Sequence, residues 1–180
     1  LRPTYGSVSR YGLIDMTMSF DCIGPLTNSP EDSKLIFDII KGQDNFDQTT
    51  IDTRKTESPK KGIIGLVDTK GFCDKEIAKL IEEKSNKIAK DKGWKIKKIN
   101  LPLEIALETY YIIVYAEFFS STRKFDGRRF GKKIEEVAGP EVIRRIVGGS
   151  EITKAEFDGK YYREALRAKN FIKEEFHKIF

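Results

Sequence analysis

Stretches in which apolar residues recur at helical spacing alternate along this chain with short apolar runs of strand length. The first helical stretch follows Ser29, whose hydroxyl can cap a helix, and Pro30, which suits a first helical turn. Its apolar positions lie on one side: Leu35, Ile36, Ile39 and Ile40. We therefore predict a helix that begins after Ser29 and ends at Gly42.

A strand, a helix and a second strand follow in the middle of the chain. The apolar run Gly62–Val67 predicts a buried strand, and Asp74 can cap a helical pattern that reaches about Lys92. The residues expected to face inward on that helix are Ile77, Leu80, Ile81 and Ile88. Apolar and basic residues alternate in Trp94–Ile99, as in a strand. This order predicts a βαβ unit with a parallel strand pair, hence an α/β fold.

The remainder of the chain is predicted to be helical. From about Ile105 to Phe119 the pattern is apolar on every side, which predicts a helix that is buried in the whole protein. A loop is expected over Ser120–Gly131. Gly139 and Pro140 then separate two short helices, and a final amphipathic helix runs from about Gly159 to the end. The two short helices are predicted at 132–137 and 141–147.

Composition favours a folded globular chain. Of 180 residues, 39% are hydrophobic and 34% charged, enough apolar content for a core. No apolar run reaches the roughly 20 residues that span a bilayer, so no membrane association is expected. Cys22 and Cys73 are lone thiols, which favours a reducing cytosol. With His177 as the sole histidine, we expect neither a metal site nor a Ser-His-Asp triad here.

The formal net charge is +5, and many of the lysines fall on the predicted second helix and second strand. Acidic residues are interleaved with them, which favours a solvated surface. The alternative is a weak electrostatic field that faces tRNA. No aromatic or glycine-rich nucleic-acid motif accompanies these lysines, so we favour the solvated surface.

Several short motifs occur in a characteristic order. Residues 1–25 read LRPTYGSVSRYGLIDMTMSFDCIGP, and six further segments follow: Ser29-Pro30-Glu31-Asp32, Lys61-Gly62-Ile63-Ile64-Gly65, Leu101-Pro102 with Tyr110-Tyr111-Ile112-Ile113 and Ala116-Glu117, Phe125-Asp126-Gly127-Arg128-Arg129-Phe130-Gly131, Glu141-Val142-Ile143-Arg144-Arg145-Ile146, and Tyr161-Tyr162. Together these resemble the A subunits of the glutamyl- and aspartyl-tRNA amidotransferases, the glutamine-hydrolysing branch of the amidase signature family.

The resemblance implies an α/β fold that is part of the amidase signature fold, with a mixed central sheet flanked by helices. Residues 1–180 would then form a single incomplete amidase signature domain. The resemblance places the family's catalytic Ser–cis-Ser–Lys triad upstream of Leu1. We therefore expect an internal or C-terminal portion of an amidase, with no catalytic residue and no metal ligand in this chain.

Two positions match the family's glutamine-binding residues. Arg145 matches the arginine that binds the substrate α-carboxylate, and a planar guanidinium suits a carboxylate because it donates two parallel hydrogen bonds. The alternative is a helix arginine paired with Glu141, one turn earlier. Tyr110 matches a substrate-contacting tyrosine, and its alternative is an aromatic residue in a buried helix. The resemblance places a third anchor, an aspartate, beyond Phe180.

The implied function is glutamine hydrolysis that supplies ammonia for converting Glu-tRNA(Gln) to Gln-tRNA(Gln), Asp-tRNA(Asn) to Asn-tRNA(Asn), or both. The implied partners are amidotransferase subunits B and C, glutamine, and aminoacyl-tRNA through the complex. The resemblance assigns ATP and Mg²⁺ to a partner subunit, gives this chain no cofactor, and implies a cytoplasmic enzyme. The chain alone is expected to be inactive. A general amidase of the same family and a non-catalytic RNA-binding or scaffold fragment remain as alternatives.

Overall fold

The computed structural model describes residues 1–53, 62–69 and 71–179. Lys61, which opens one of the motifs, and Phe180, where the last helix was expected to end, lie outside these ranges. The chain divides into two compact units, Leu1–Lys55 with Tyr110–Ala165 and Thr56–Thr109 with Leu166–Phe180. The single incomplete domain stays a prediction.

The order and the parallel pairing of the predicted βαβ unit are confirmed in the second compact unit. The prediction that its first strand is buried is wrong, because no residue of that strand is buried and Ile63 is 68% exposed. Strand β1 (Ile63–Val67), helix α2 (Lys75–Lys92) and strand β2 (Lys95–Ile99) follow one another, and β1 pairs with β2 in parallel. Gly93 ends α2 in the left-handed conformation, with φ of 65°. Helices joined to this two-stranded parallel sheet give the α/β class that the sequence predicts.

The inward face predicted for α2 is wrong in part. Its four apolar residues are 45–53% exposed, although they lie on the predicted side of the helix: Ile77, Leu80, Ile81 and Ile88. In α2, only Ala89 is fully buried. The physical reason is that a sheet of two strands is too narrow to cover a helix of five turns.

In the first compact unit, α1 (Pro30–Ile40) begins as predicted, because the Ser29 hydroxyl accepts a hydrogen bond from the Asp32 amide at 3.1 Å. The helix ends at Ile40 rather than at Gly42. Lys41 is extended and forms an antiparallel bridge with Val8, so this tertiary pairing ends the helix first.

Helix α3 (Ala106–Thr122) holds the core of this unit. Ile113 and Val114 are completely buried. The helix includes residues 120–122, which were predicted to be loop, so that prediction is wrong there. Ser121 and Thr122 donate hydroxyl hydrogen bonds to the Phe118 carbonyl at 3.1 and 2.9 Å, and these bonds stay within the helix.

Three further α-helices follow within residues 71–179: α4 (Ile134–Val137), α5 (Pro140–Ile152) and α6 (Lys160–His177). The predicted end of α5 at Val147 is wrong, because the helix continues through Gly148 and Gly149. These glycines do not stop the helix; they let it approach α3. A Cβ atom on Gly149 would lie 2.1 Å from the Tyr115 carbonyl oxygen and 2.5 Å from the Phe119 Cβ.

Within the described residues, no helix combines the length and apolarity needed to cross a membrane. Cys22 and Cys73 are both free thiols and are half-buried.

The contact at Gly149 gives a stability prediction. In the full-length protein, Gly149→Ala should lower the free energy of unfolding by about 1–3 kcal/mol, because the methyl group meets backbone that cannot move aside. Gly139→Ala is the matched control, since a Cβ there meets nothing within 4 Å. Thermal unfolding compares the two variants. Equal melting temperatures would show that α3 and α5 are not held at this distance.

Candidate functional site

Arg145 lies on α5, one turn after Glu141. Its Nε donates a hydrogen bond to Glu141 Oε1 at 2.9 Å, and its side chain is 20% exposed. The ion pair between Arg145 and Glu141, which was the alternative to a glutamine-binding role, therefore exists in the structure. It occupies only one edge of the guanidinium.

The other edge of Arg145 is the distinctive feature. Its Nη1 atom is buried and has no hydrogen-bond partner among the described residues, as is also true of Arg10 Nε and Thr17 Oγ1; of the three, only Nη1 belongs to a residue that the family resemblance assigns to glutamine. A buried donor left unpaired costs about 1–3 kcal/mol, so native proteins rarely leave one. Nη1 is thus available to an acceptor that is not one of the described residues, and a carboxylate is the acceptor that a guanidinium pairs with best.

Arg144 reinforces this arrangement from the other side of Glu141. Its Nε and Nη2 atoms donate to the two Glu141 carboxylate oxygens at 2.7 and 2.8 Å. Hydrogen bonds from Arg144, and then from Arg145, lower the pKa of Glu141 from 4.5 to about 2. The Glu141 carboxylate is therefore shared by both guanidinium groups.

Tyr110 lies at the start of the α3 segment that belongs to the first compact unit. Its half-buried ring stacks on Phe20, with centroids 5.9 Å apart and planes inclined by 23°. It also meets the Tyr111 ring edge-on at 5.3 Å. Tyr110 therefore packs against other aromatic rings, as expected if it were only an aromatic residue in a buried helix. This packing fixes the orientation of its ring.

The structure places both candidate residues in one compact unit and links them through a row of rings. Tyr111 follows Tyr110 in this row, and Tyr115 lies 5.6 Å further along. The Arg144 guanidinium lies 5.4 Å from the Tyr115 ring centroid and also donates to the Tyr115 hydroxyl. The row therefore ends at Arg144, which shares the Glu141 carboxylate with the candidate Arg145.

Sequence reasoning missed a polar cluster formed by Glu117, Ser19 and Tyr162. Glu117 Oε2 accepts a hydrogen bond from the Ser19 amide at 2.9 Å, and Oε1 accepts from the Ser19 hydroxyl at 2.7 Å and the Tyr162 hydroxyl at 2.8 Å. The only feature of the sequence that pointed to this cluster was Glu117 itself, a single charged residue within the apolar run Tyr110–Phe119. A charge in such a place needs donors, but the sequence does not say which residues supply them.

The cluster borders a cavity of about 300 Å³. Burial, and then the hydrogen bond to Glu117, raise the pKa of Tyr162 to about 12. The Tyr162 hydroxyl therefore remains a donor at every pH near neutrality. The lining residues are Ala116, Glu117, Ser120, Ile152, Thr153, Gly159 and Tyr162.

The second compact unit has a larger recess of about 1200 Å³, alongside α2 and the ends of the strands, and neither candidate residue lines it. The lysines on α2 and β2 are exposed, as a solvated surface requires. Over residues 1–53, 62–69 and 71–179, no group of three or more His, Cys, Asp and Glu side chains is arranged to hold a metal ion.

Comparison with known families gives a match over the whole chain. The family model described as Amidase matches residues 1–180. Among curated proteins, the chain is 50% identical to the A subunit of the glutamyl-tRNA(Gln) amidotransferase of Methanocaldococcus jannaschii, over 99% of this chain and 42% of the relative. The corresponding protein of Methanococcus maripaludis strain S2 is 47% identical over the same shares. The chain thus spans about two fifths of the length of these relatives.

Solved structures agree with this match. The A subunit of the glutamyl-tRNA(Gln) amidotransferase from Thermotoga maritima superposes with a TM-score of 0.70 at 28% identity, over 99% of this chain and 39% of that one. The crystal structure of an amidase gives a TM-score of 0.71 at 23% identity, over 98% of this chain and 37% of that one. The predicted amidase signature fold is confirmed.

The buried phenol of Tyr162 gives a pH prediction for the full-length protein. Its folded pKa of about 12 lies above the unfolded value near 10, so its stabilisation is complete below pH 10 and is lost as the pH rises from 10 to 12. Tyr162→Phe should therefore melt below wild type at pH 8, and the difference should shrink towards pH 12. Tyr161→Phe is the control, because that neighbouring side chain is exposed. A difference that does not change with pH would contradict the assignment.

Proposed function

The chain belongs to the amidase family, and on this basis we propose that it is the glutamine-binding part of the A subunit of a tRNA-dependent amidotransferase. The names of its curated relatives support this proposal. The whole subunit would hydrolyse glutamine, and the ammonia would convert Glu-tRNA(Gln) to Gln-tRNA(Gln), Asp-tRNA(Asn) to Asn-tRNA(Asn), or both.

One observation carries the proposal: the buried Nη1 atom of Arg145 has no partner among the described residues. Glutamine has a free α-carboxylate, and a simple amide substrate has none. In our proposal this carboxylate accepts hydrogen bonds from the edge of Arg145 that Glu141 leaves open. A general amidase has no use for such a donor, which is why the amidotransferase is favoured over that alternative.

Tyr110 would contact the same glutamine molecule. Its ring is held from two sides by Phe20 and Tyr111, so little side-chain entropy remains to be lost when a ligand binds. The row of rings from Tyr110 to Tyr115 would make the two contacts parts of one rigid surface.

The reaction itself would take place on residues outside this chain. In the mechanism that the family implies, a serine oxygen attacks the side-chain amide carbon of glutamine, ammonia leaves, and water releases glutamate from the acyl-enzyme. We propose that this serine and its lysine base lie upstream of Leu1. Ammonia would pass within a cytoplasmic complex with subunits B and C, in which aminoacyl-tRNA is activated with ATP and Mg²⁺ by one of these partners.

Arg145→Lys tests the glutamine site in the full-length complex. Lysine keeps the charge but loses the planar pair of donors, so kcat/KM for glutamine should fall roughly ten- to a hundredfold. Free ammonia bypasses the glutamine pocket, so amidation driven by ammonium salt should persist. Paired titrations with glutamine and with ammonium chloride measure both rates.

Arg163→Lys serves as the matched control, because that arginine is exposed on α6 and pairs with Asp158. It should behave like wild type in both titrations. If glutamine- and ammonium-driven rates fall together in Arg145→Lys, Arg145 supports the fold instead. If neither rate changes, the assignment of Arg145 to glutamine is wrong.

The chain by itself should release no ammonia from glutamine, because in our proposal it contains neither the nucleophile nor the base. A coupled assay for ammonia on the purified 180-residue chain measures this directly. Ammonia release above a protein-free blank would show that the chemistry does not depend on residues outside it.

A further inference from the structure

We propose that Glu117 is a positioning residue for the glutamine site: it binds Ser19 and thereby holds Phe20 against Tyr110. The inference rests on the proposed function, because it concerns the tyrosine assigned there to glutamine. It gives the polar cluster a task that neither the sequence motifs nor the family match assign.

The first step rests on where the interacting residues lie in α3 and in the loop that contains Ser19 and Phe20. Tyr110 and Glu117 are about two turns apart on α3, so they lie on the same face of the helix. Ser19 and Phe20 are consecutive. Ser19 binds Glu117 through its amide and its hydroxyl, and Phe20 stacks on Tyr110. Residues 19 and 20 thus lie along one face of α3. Glu117 attaches them to that helix through Ser19, and Arg2 donates a hydrogen bond to the Phe20 carbonyl at 3.2 Å.

The second step is that residues 16–21 form one turn that is held together by its own hydrogen bonds. The Asp21 carboxylate accepts hydrogen bonds from the Met16 and Thr17 amides, both at 2.9 Å. The Phe20 and Asp21 amides in turn donate to the Thr17 carbonyl at 2.9 and 2.8 Å. A turn closed by four internal hydrogen bonds transmits a displacement at Ser19 to Phe20.

The third step is that Glu117 is itself held in place. The Tyr162 hydroxyl donates to the same oxygen as the Ser19 hydroxyl, so one carboxylate is fixed by three donors from two other segments. Hydrogen bonds to a charged acceptor are the stronger kind. Replacing the carboxylate by an amide would remove the charge and turn one acceptor into a donor, with almost no change of shape. The amide nitrogen would either face the Ser19 N–H group or make the Ser19 and Tyr162 hydroxyls accept instead of donate, so at least one of the present hydrogen bonds is lost.

Glu117→Gln in the full-length complex is therefore the test. The KM for glutamine should rise about three- to tenfold, which corresponds to one lost hydrogen bond, while ammonium-driven amidation should stay within about twofold of wild type. Glu151→Gln is the matched control, because Glu151 is exposed and pairs with Lys154. If Glu117→Gln does not yield folded complex, Ser19→Ala removes one of the same hydrogen bonds and should raise the KM in the same way.

A double-mutant cycle with Phe20→Ala separates positioning from general support of the fold. Phe20→Ala alone should raise the KM for glutamine, and Glu117→Gln should add nothing further in that background. Increases that multiply would show that Glu117 does not act through Phe20, and an unchanged KM in Glu117→Gln would overturn the proposal outright. Arg145→Lys distinguishes a failure of the proposed function from a failure of the positioning role. If Arg145→Lys raises the KM for glutamine and Glu117→Gln does not, only the positioning role of Glu117 is wrong.

Discussion

The close approach of α5 to α3 is the constraint on which the first compact unit depends. It exists because Gly149 has no side chain, so the α5 backbone lies directly against the Tyr115 carbonyl. The same approach brings Tyr115 within reach of Arg144, and Arg144 shares Glu141 with Arg145. The absence of side chains at Gly148 and Gly149 thus sets how closely α3 is approached by the helix that carries the candidate carboxylate-binding arginine.

Glu117 provides the polar counterpart of that contact. Helix α3 is apolar over most of its length, and a charge placed in it would destabilise the fold if it were left without donors. Ser19 and Tyr162 supply those donors from segments 98 and 45 residues away. The requirement to satisfy one carboxylate therefore joins the N-terminal loop, α3 and the first turn of α6. In our proposal it also orients Tyr110.

Local patterns were enough to predict part of this architecture. The β1–α2–β2 unit follows from apolar runs, a glycine stop and the rule that such units are parallel. The pairing of Arg145 with Glu141 follows from helical spacing. The continuation of α5 through Gly148 could not be predicted, because the reason for it is a residue on another helix. The donors to Glu117 could not be predicted either, since no local pattern relates residues so far apart.

The central claim is that Arg145 binds the α-carboxylate of glutamine, and the most direct test changes the ligand. Calorimetric titration of the full-length complex would compare glutamine with the analogue whose α-carboxylate is an amide, in wild type and in Arg145→Lys. We predict that wild type prefers glutamine by roughly ten- to a hundredfold, and that the preference nearly disappears in the variant. An equal preference in both proteins would contradict the claim, because the carboxylate would then be bound by another residue.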